Sequence, residues 1–126
     1  MKKVFRSGLE SALYDQLNRE FEYEPYKVPY IIRKNYLPDF VHEDKKILIE
    51  AKGYFRVGDT QKYISIRDSI GDWELVFVLS DPNKKVRKGN KITMGQWCDK
   101  EGFAHFTVKT TKELLKYVRN KNVTNT

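Results

Sequence analysis

The run Pro38-Asp39-Phe40-Val41-His42-Glu43-Asp44-Lys45-Lys46-Ile47-Leu48-Ile49-Glu50-Ala51-Lys52-Gly53 sets two short stretches of β-forming residues on either side of a charged turn. Residues 39–42 and 46–52 therefore read as two strands around Glu43, Asp44 and Lys45. An even loop centred between Asp44 and Lys45 puts Asp39 directly opposite Glu50 and His42 opposite Ile47. Opposed side chains share a sheet face, with Cβ atoms roughly 4.5–5.5 Å apart. Alternation along the second strand sends Ile47, Ile49 and Ala51 to one face and Leu48, Glu50 and Lys52 to the other. Lys52 thus joins the carboxylate pair.

Two carboxylates held this close repel unless a cation lies between them or one keeps its proton. With a lysine on the same face, they have the chemistry of a Mg²⁺ site acting on a phosphodiester. The carboxylates are hard oxygen ligands, the ion activates water and neutralises charge at phosphorus, and the lysine orients the water or stabilises the phosphate. A cross-strand charge cluster on a wet sheet face is the plainer reading of the same residues. Pro38 before the aspartate and Gly53 after the lysine add specificity to the first. Glu10 has two possible roles: as the fourth residue of Ser7-Gly8-Leu9-Glu10 it fits a helix cap, and as a carboxylate facing the sheet it completes a metal site.

Around this hairpin the chain reads as alternating helix and strand. Residues 7–21 suit an amphipathic helix with Leu9, Leu13 and Leu17 on one stripe. Residues 22–34, rich in Tyr and Ile with Pro25 and Pro29, suit an edge strand. Residues 60–70 form a second helix, with Tyr63, Ile64, Ile66 and Ile70 as its apolar positions, and 73–80 a strand buried on both faces. Residues 81–90 are a basic loop. Residues 93–101 form a short helix stopped by Gly102, and 110–120 a further one opened by the Thr110 to Glu113 capping spacing. Residues 121–126 are expected to fray. The result is an α/β protein, residues 1–126 as one domain, with a central mixed sheet flanked by helices.

Composition narrows the function. The 126 residues, 40% apolar and 33% charged with 17 aromatics, fit a folded domain and not a disordered polymer. The longest apolar run, Leu75 to Leu79, is far short of the roughly 20 residues a membrane-spanning helix needs. The basic residues at 1–6 lead into Ser7, Gly8 and Glu10 with no apolar segment, so a cytoplasmic location is expected. Cys98 is the only cysteine, which excludes an internal disulfide and any zinc site needing two thiolates. Burial inside a helix suits it better than nucleophilic chemistry, and His105 suits a structural or surface role.

Residues 1–80 carry 13 Lys/Arg and 13 Asp/Glu, whereas 81–126 carry 11 and 4, so the net charge of +7 lies entirely in the last third. That asymmetry fits a polyanion surface or simply a solvated basic face. Lys84, Lys85, Arg87 and Lys88 of the loop, with Lys62 and Arg67 of the second helix, are the candidate phosphate contacts. Tyr54 and Phe55 have core packing as their first role and base stacking as a second.

Taken together, Phe5-Arg6-Ser7-Gly8-Leu9-Glu10, Phe21-Glu22-Tyr23-Glu24, Lys27-Val28-Pro29-Tyr30, Pro38-Asp39-Phe40, Glu50-Ala51-Lys52-Gly53, Ile66-Arg67, Lys88-Gly89 and the stretch 95–102 resemble the endonuclease I family of T-odd phages, which are Holliday-junction resolvases. The resemblance runs in register from about Phe5 to Phe106. It implies a restriction-endonuclease-like PD-(D/E)XK core, an intertwined homodimer in which residues 1–34 exchange between subunits, and paired nicking of four-way DNA junctions with Mg²⁺, Mn²⁺ substituting. By the same resemblance Asp39, Glu50 and the Ala51 carbonyl are metal ligands, Glu10 is the helix-one carboxylate of the site, and Lys52 is the catalytic lysine. A restriction-type or repair nuclease and a non-catalytic junction-binding protein are the alternatives.

Overall fold

A computed structural model describes residues 4–123. The chain divides into two compact units, Met1–Lys34 and Asn35–Thr126.

In the first unit, helix α1 spans Gly8–Leu17, shorter at its C-terminal end than the periodicity suggests. Ser7 is its N-cap, accepting the Glu10 amide at 3.2 Å. The Glu10 carboxylate does not complete a reciprocal capping box. It accepts a hydrogen bond from the Tyr23 hydroxyl and sits 3.7 Å from Arg6. Phe5 packs on Tyr14 and Tyr23 with ring centroids 5.2 and 4.9 Å away. No residue of α1 is buried, and the expected stripe of Leu9, Leu13 and Leu17 is exposed. The strand expected at 22–34 does not form. Pro25 and Pro29 remove two ladder donors, and Glu24 adopts a φ of 45°, which breaks the extended run. With no partner strand for the remaining amides, β propensity alone has nothing to pair with.

The second unit is a four-stranded sheet in the order β1-β2-β3-β4. Strands β1 (Phe40–His42) and β2 (Ile47–Lys52) form the antiparallel hairpin, with Phe40 opposite Ile49 and His42 opposite Ile47, the register read from the sequence. Its four-residue turn closes through the Lys46 amide on the Glu43 carbonyl at 3.2 Å, with Lys46 at a φ of 54°. Helix α2 (Asp59–Ser69) then crosses to β3 (Glu74–Leu79), which runs parallel to β2. Helix α3 (Met94–Glu101) leads to β4 (His105–Phe106), parallel to β3. β4 is too short to show any periodicity and is not apparent in the sequence. A 3₁₀ turn at Val108–Thr110 precedes α4 (Thr111–Asn120).

Alternation along β3 builds two cores. Leu75, Phe77 and Leu79 face α2 and α3, where they pack with Tyr63, Met94, Trp97, Cys98 and Phe103. Val76 faces the other way, with Ile47, Leu114 and Val118 of α4. The continuous apolar run therefore occupies the middle layer of three. Helix α3 realises both of its expected ends: Thr93 and Gln96 form a full capping box, and Gly102 takes the left-handed C-cap conformation at φ 80°. The expected Thr110 to Glu113 box does not form. Thr110 Oγ1 instead accepts the Thr107 amide at 2.8 Å, so the capping motif serves the preceding 3₁₀ turn. Beyond α4, Lys121 Nζ bonds the Lys46 carbonyl at 3.0 Å, and Lys45 Nζ returns a bond to the Lys121 carbonyl at 2.8 Å. The α4 end is thereby pinned to the β1–β2 turn. The expectation of fraying at 124–126 lies outside the described residues.

Cys98 is fully buried in α3. Burial, with the nearby Asp99 charge adding to it, pushes its thiol up to about 12. His105 bonds Asp99 through Nε2 at 3.0 Å. A thiol reagent added to the native protein should therefore modify Cys98 only as fast as the protein opens, and at once in denaturant. Rapid stoichiometric labelling of the native state would contradict this burial.

Candidate active site

The site is built where β2 leaves the hairpin. Glu50 follows two apolar turns of the pleat and shares the face of Leu48 and Lys52, towards α2. It is 7% exposed, the one buried charged residue among the described residues. A carboxylate that far from water must find hydrogen-bond donors or keep its proton. Tyr63, in the middle of α2, donates its hydroxyl to Glu50 Oε1 at 2.8 Å. Tyr63 stands upright because its ring is edge-packed on Phe77 at 5.1 Å and Tyr36 at 6.3 Å.

Asp39 lies just before β1. Its amide bonds the Ile49 carbonyl at 3.1 Å, and its Oδ2 accepts the Ala51 amide at 2.8 Å. The aspartate thus grips both sides of Glu50 along β2, and the two carboxyl groups are in hydrogen-bonding contact. Burial, then the hydrogen bond with Asp39, holds Glu50 above the usual carboxylate range. The exposed Asp39 moves the other way, held below its usual range first by its bond with Glu50 and then by the Ala51 N–H.

Lys52 stands on the same face, but its ammonium pairs with Asp59, 3.5 Å away, and lies 5.3 Å from the centre of the Tyr63 ring. Asp59 opens α2 and also accepts the Arg56 amide at 2.9 Å. Burial works to raise Asp59, but the Arg56 amide and the Lys52 charge outweigh it, so the carboxylate stays ionised. Lys62 lies 5.4 and 5.9 Å from the Tyr63 and Tyr36 rings. Sequence reasoning misses Asp59, Tyr36 and Tyr63 as site residues, and Tyr63 reads from the pattern only as an apolar helix position. Lys52 and Asp59 are seven residues apart across a loop, a spacing that carries no periodic signal.

The basic loop borders this site. Val86 is buried and anchors it, and a bridge from Lys85 to Thr93 closes it. Lys84 Nζ reaches the Gly53 carbonyl at 3.5 Å and lies 5.4 Å from the Tyr54 ring, while Arg87 bonds the Arg56 carbonyl at 3.3 Å. Lys85 bonds the Lys91 carbonyl at 2.9 Å, and Lys88 is exposed. Arg67 is placed otherwise: it bonds the Glu101 carbonyl at 2.6 Å and ion-pairs with Glu101 and Asp68, joining α2 to the end of α3. Phe55 is core, packed on Trp97 at 5.0 Å, whereas Tyr54 is exposed. Glu10 belongs to the first unit, with the partners given above.

Two close carboxylates of opposite shift, with an ammonium beside them, form a hard-oxygen donor set suited to a divalent cation that keeps several waters. Among the described residues no three or more His, Cys, Asp or Glu side chains gather as a metal cage. An α/β sheet bearing such a pair at the end of one strand, bordered by lysines and arginines, defines a candidate phosphodiester site. The phage endonuclease I family matches residues 1–124. The chain is 35% identical over 106 residues to endodeoxyribonuclease 1 of Enterobacteria phage T3, covering 79% of this chain and 69% of that relative. It is 36% identical over 105 residues to endonuclease I of Escherichia phage T7, covering 79% and 70%. The chain belongs to the phage endonuclease I family.

Replacing Tyr63 by Phe removes the donor to a buried acid and should cost about 1–2 kcal/mol. The urea midpoint should fall with the slope unchanged. An unmoved midpoint would show that Glu50 does not depend on this hydroxyl.

Proposed function

We propose that the protein is a metal-dependent, structure-selective DNA endonuclease that resolves four-way and other branched junctions, leaving 5′-phosphate ends. The observation that carries the reading is the Asp39–Glu50 carboxyl pair with Lys52 on one sheet face, in a member of a phage endonuclease family. The hairpin, the parallel crossover through α2 and the carboxylates at the strand end support a PD-(D/E)XK core.

Asp39, Glu50 and the Ala51 carbonyl would hold Mg²⁺ or Mn²⁺, with Glu10 assigned to the donor set on the family resemblance. When bound, the ion activates water and offsets charge developing at phosphorus. Asp59 holds the Lys52 ammonium beside the carboxyl pair, where it neutralises a phosphate oxygen. Tyr63 fixes the rotamer of Glu50, so the carboxylate is set before substrate arrives. Lys62, Lys84, Lys85, Arg87 and Lys88 supply phosphate contacts around the site, and Arg67 stands behind them as a brace.

A homodimer with two such sites suits a two-fold branched substrate, since both strands are cut within one complex. The exposed stripe of Leu9, Leu13 and Leu17, with Val28, Tyr30, Ile31 and Ile32 also exposed, supports exchange or pairing of the first unit between copies. Shape and phosphate placement, more than base edges, would select the junction.

With labelled four-way junction, wild-type protein should produce symmetric nicks near the branch in Mg²⁺ and none with chelator or on matched duplex. Glu50→Gln and Lys52→Ala should keep junction binding while cleavage falls about 100-fold or more. Equal cutting of junction and duplex would reduce the reading to a general nuclease, and undiminished cleavage by either variant would reject the site. Lys85→Ala combined with Arg87→Ala should weaken binding and flatten its dependence on salt by about one unit of slope for each phosphate no longer neutralised. An unchanged slope would remove the loop from the interface.

A further inference from the structure

The positive charge of the last third of the chain lies mainly in two places, and the basic loop is one of them. In that loop Lys84, Lys85 and Arg87 are partly engaged by the protein itself, bonding the Gly53, Lys91 and Arg56 carbonyls. The other place is α4. Leu114 and Val118 turn that helix onto Ile47 and Val76, while Lys112, Lys116 and Arg119 follow at the four- and three-residue spacing that lines one ridge on its exposed side. Among the described residues none of the three has a side-chain hydrogen bond or ion pair, and Glu113, the one acid of the helix, does not engage them.

The ridge does not serve the helix that carries it. Lys112 stands in the first turn, at the positive end of the macrodipole, and like charges four residues apart repel. Its placement suits an outside anion instead. Strands β2, β3 and β4 run parallel, with their last residues, Lys52, Leu79 and Phe106, at the same end of the sheet. The end that bears the carboxyl pair is therefore also the end from which the chain enters α4. The helix then runs back to the β1–β2 turn, where Lys121 bonds the Lys46 carbonyl. Lys112 is thus the member of the ridge nearest the site, and Arg119 lies about 10 Å farther along the helix axis. That length corresponds to about three base pairs of duplex, whose backbone presents evenly spaced negative charge.

We propose that Lys112, Lys116 and Arg119 form a second DNA contact, holding the phosphate backbone of one arm of a branched substrate where that arm leaves the active site. This rests on the nuclease reading above and adds to it a cationic track on the face of the sheet opposite Glu50. Such a contact reads no base edges and extends the grip along an arm without entering the chemistry.

The test compares wild type with the Lys112→Ala/Lys116→Ala/Arg119→Ala variant on a four-way junction in chelator, by salt-dependent affinity and by hydroxyl-radical footprinting. The variant keeps Leu114 and Val118, so its melting temperature should stay within about 3 °C of wild type. Junction affinity should fall about 10-fold or more at low salt, and the slope of log affinity against log salt should shrink by about two to three units. The wild-type footprint should reach about three base pairs farther along an arm than the footprint the variant retains. Single-turnover cleavage at saturating protein in Mg²⁺ should hold within about twofold, because the ridge touches none of the reacting atoms. Exchanging the charges in kind, Lys112→Arg/Lys116→Arg/Arg119→Lys, should preserve both slope and footprint. An unchanged slope, or weaker binding with a footprint of unchanged reach, would make the ridge a solvated basic face and overturn the proposal, leaving the nuclease reading intact. A melting temperature lower by more than about 5 °C would make the ridge part of the fold and overturn it as well. A wild-type chain that neither binds nor cuts branched DNA overturns both readings.

Discussion

Burying Glu50 is the constraint around which the second unit is organised. An ionisable group at 7% exposure is tolerated only when its neighbours are fixed in place. Each neighbour comes from a different element: Asp39 from the approach to β1, Tyr63 from α2, and the Ala51 amide, through Asp39, from β2 itself. Tyr63 is held in turn by Phe77 of β3, and Phe77 by Phe103 at 5.1 Å and Trp97 at 6.0 Å. The aromatic block between the sheet and α2–α3 is therefore the foundation of the site as well as the larger hydrophobic core. A cavity opened at Phe77 would reach the carboxyl pair through one intervening ring.

The site is asymmetric by construction. Asp39 is exposed and held low, and Glu50 is buried and held high. Lys52 does not lie between them, because Asp59 holds its ammonium to one side.

What can be read from the sequence follows from the range of the forces involved. The hairpin register is legible because both strands and their turn lie within a few residues, and a one-residue slip would bury the wrong face. The burial of β3 on both sides and the stop of α3 at Gly102 are legible for the same local reason. The strand expected at 22–34 fails because sheet propensity is realised only against a partner, and Glu24 and the two prolines deny one. Tyr63 and Asp59 escape notice as site residues because each meets the carboxyl pair or Lys52 only after α2 has crossed over to the sheet. A tyrosine at an apolar helix position looks the same whether its hydroxyl is idle or bound to an acid.

The reciprocal lysine bonds between the end of α4 and the β1–β2 turn join residues 75 and 76 positions apart. A chain made from its N-terminus has the hairpin available long before α4, and at about 5–20 residues per second the interval is several seconds. During that time Ile47 and Val76, which α4 will cover, face water on a sheet whose other side can already pack against α2. The order of synthesis thus makes the α2 face, which carries the carboxyl pair, the first to be able to consolidate. The elements that cover the opposite face come last off the chain, and α4 packs on Ile47 and Val76, away from the carboxyl pair.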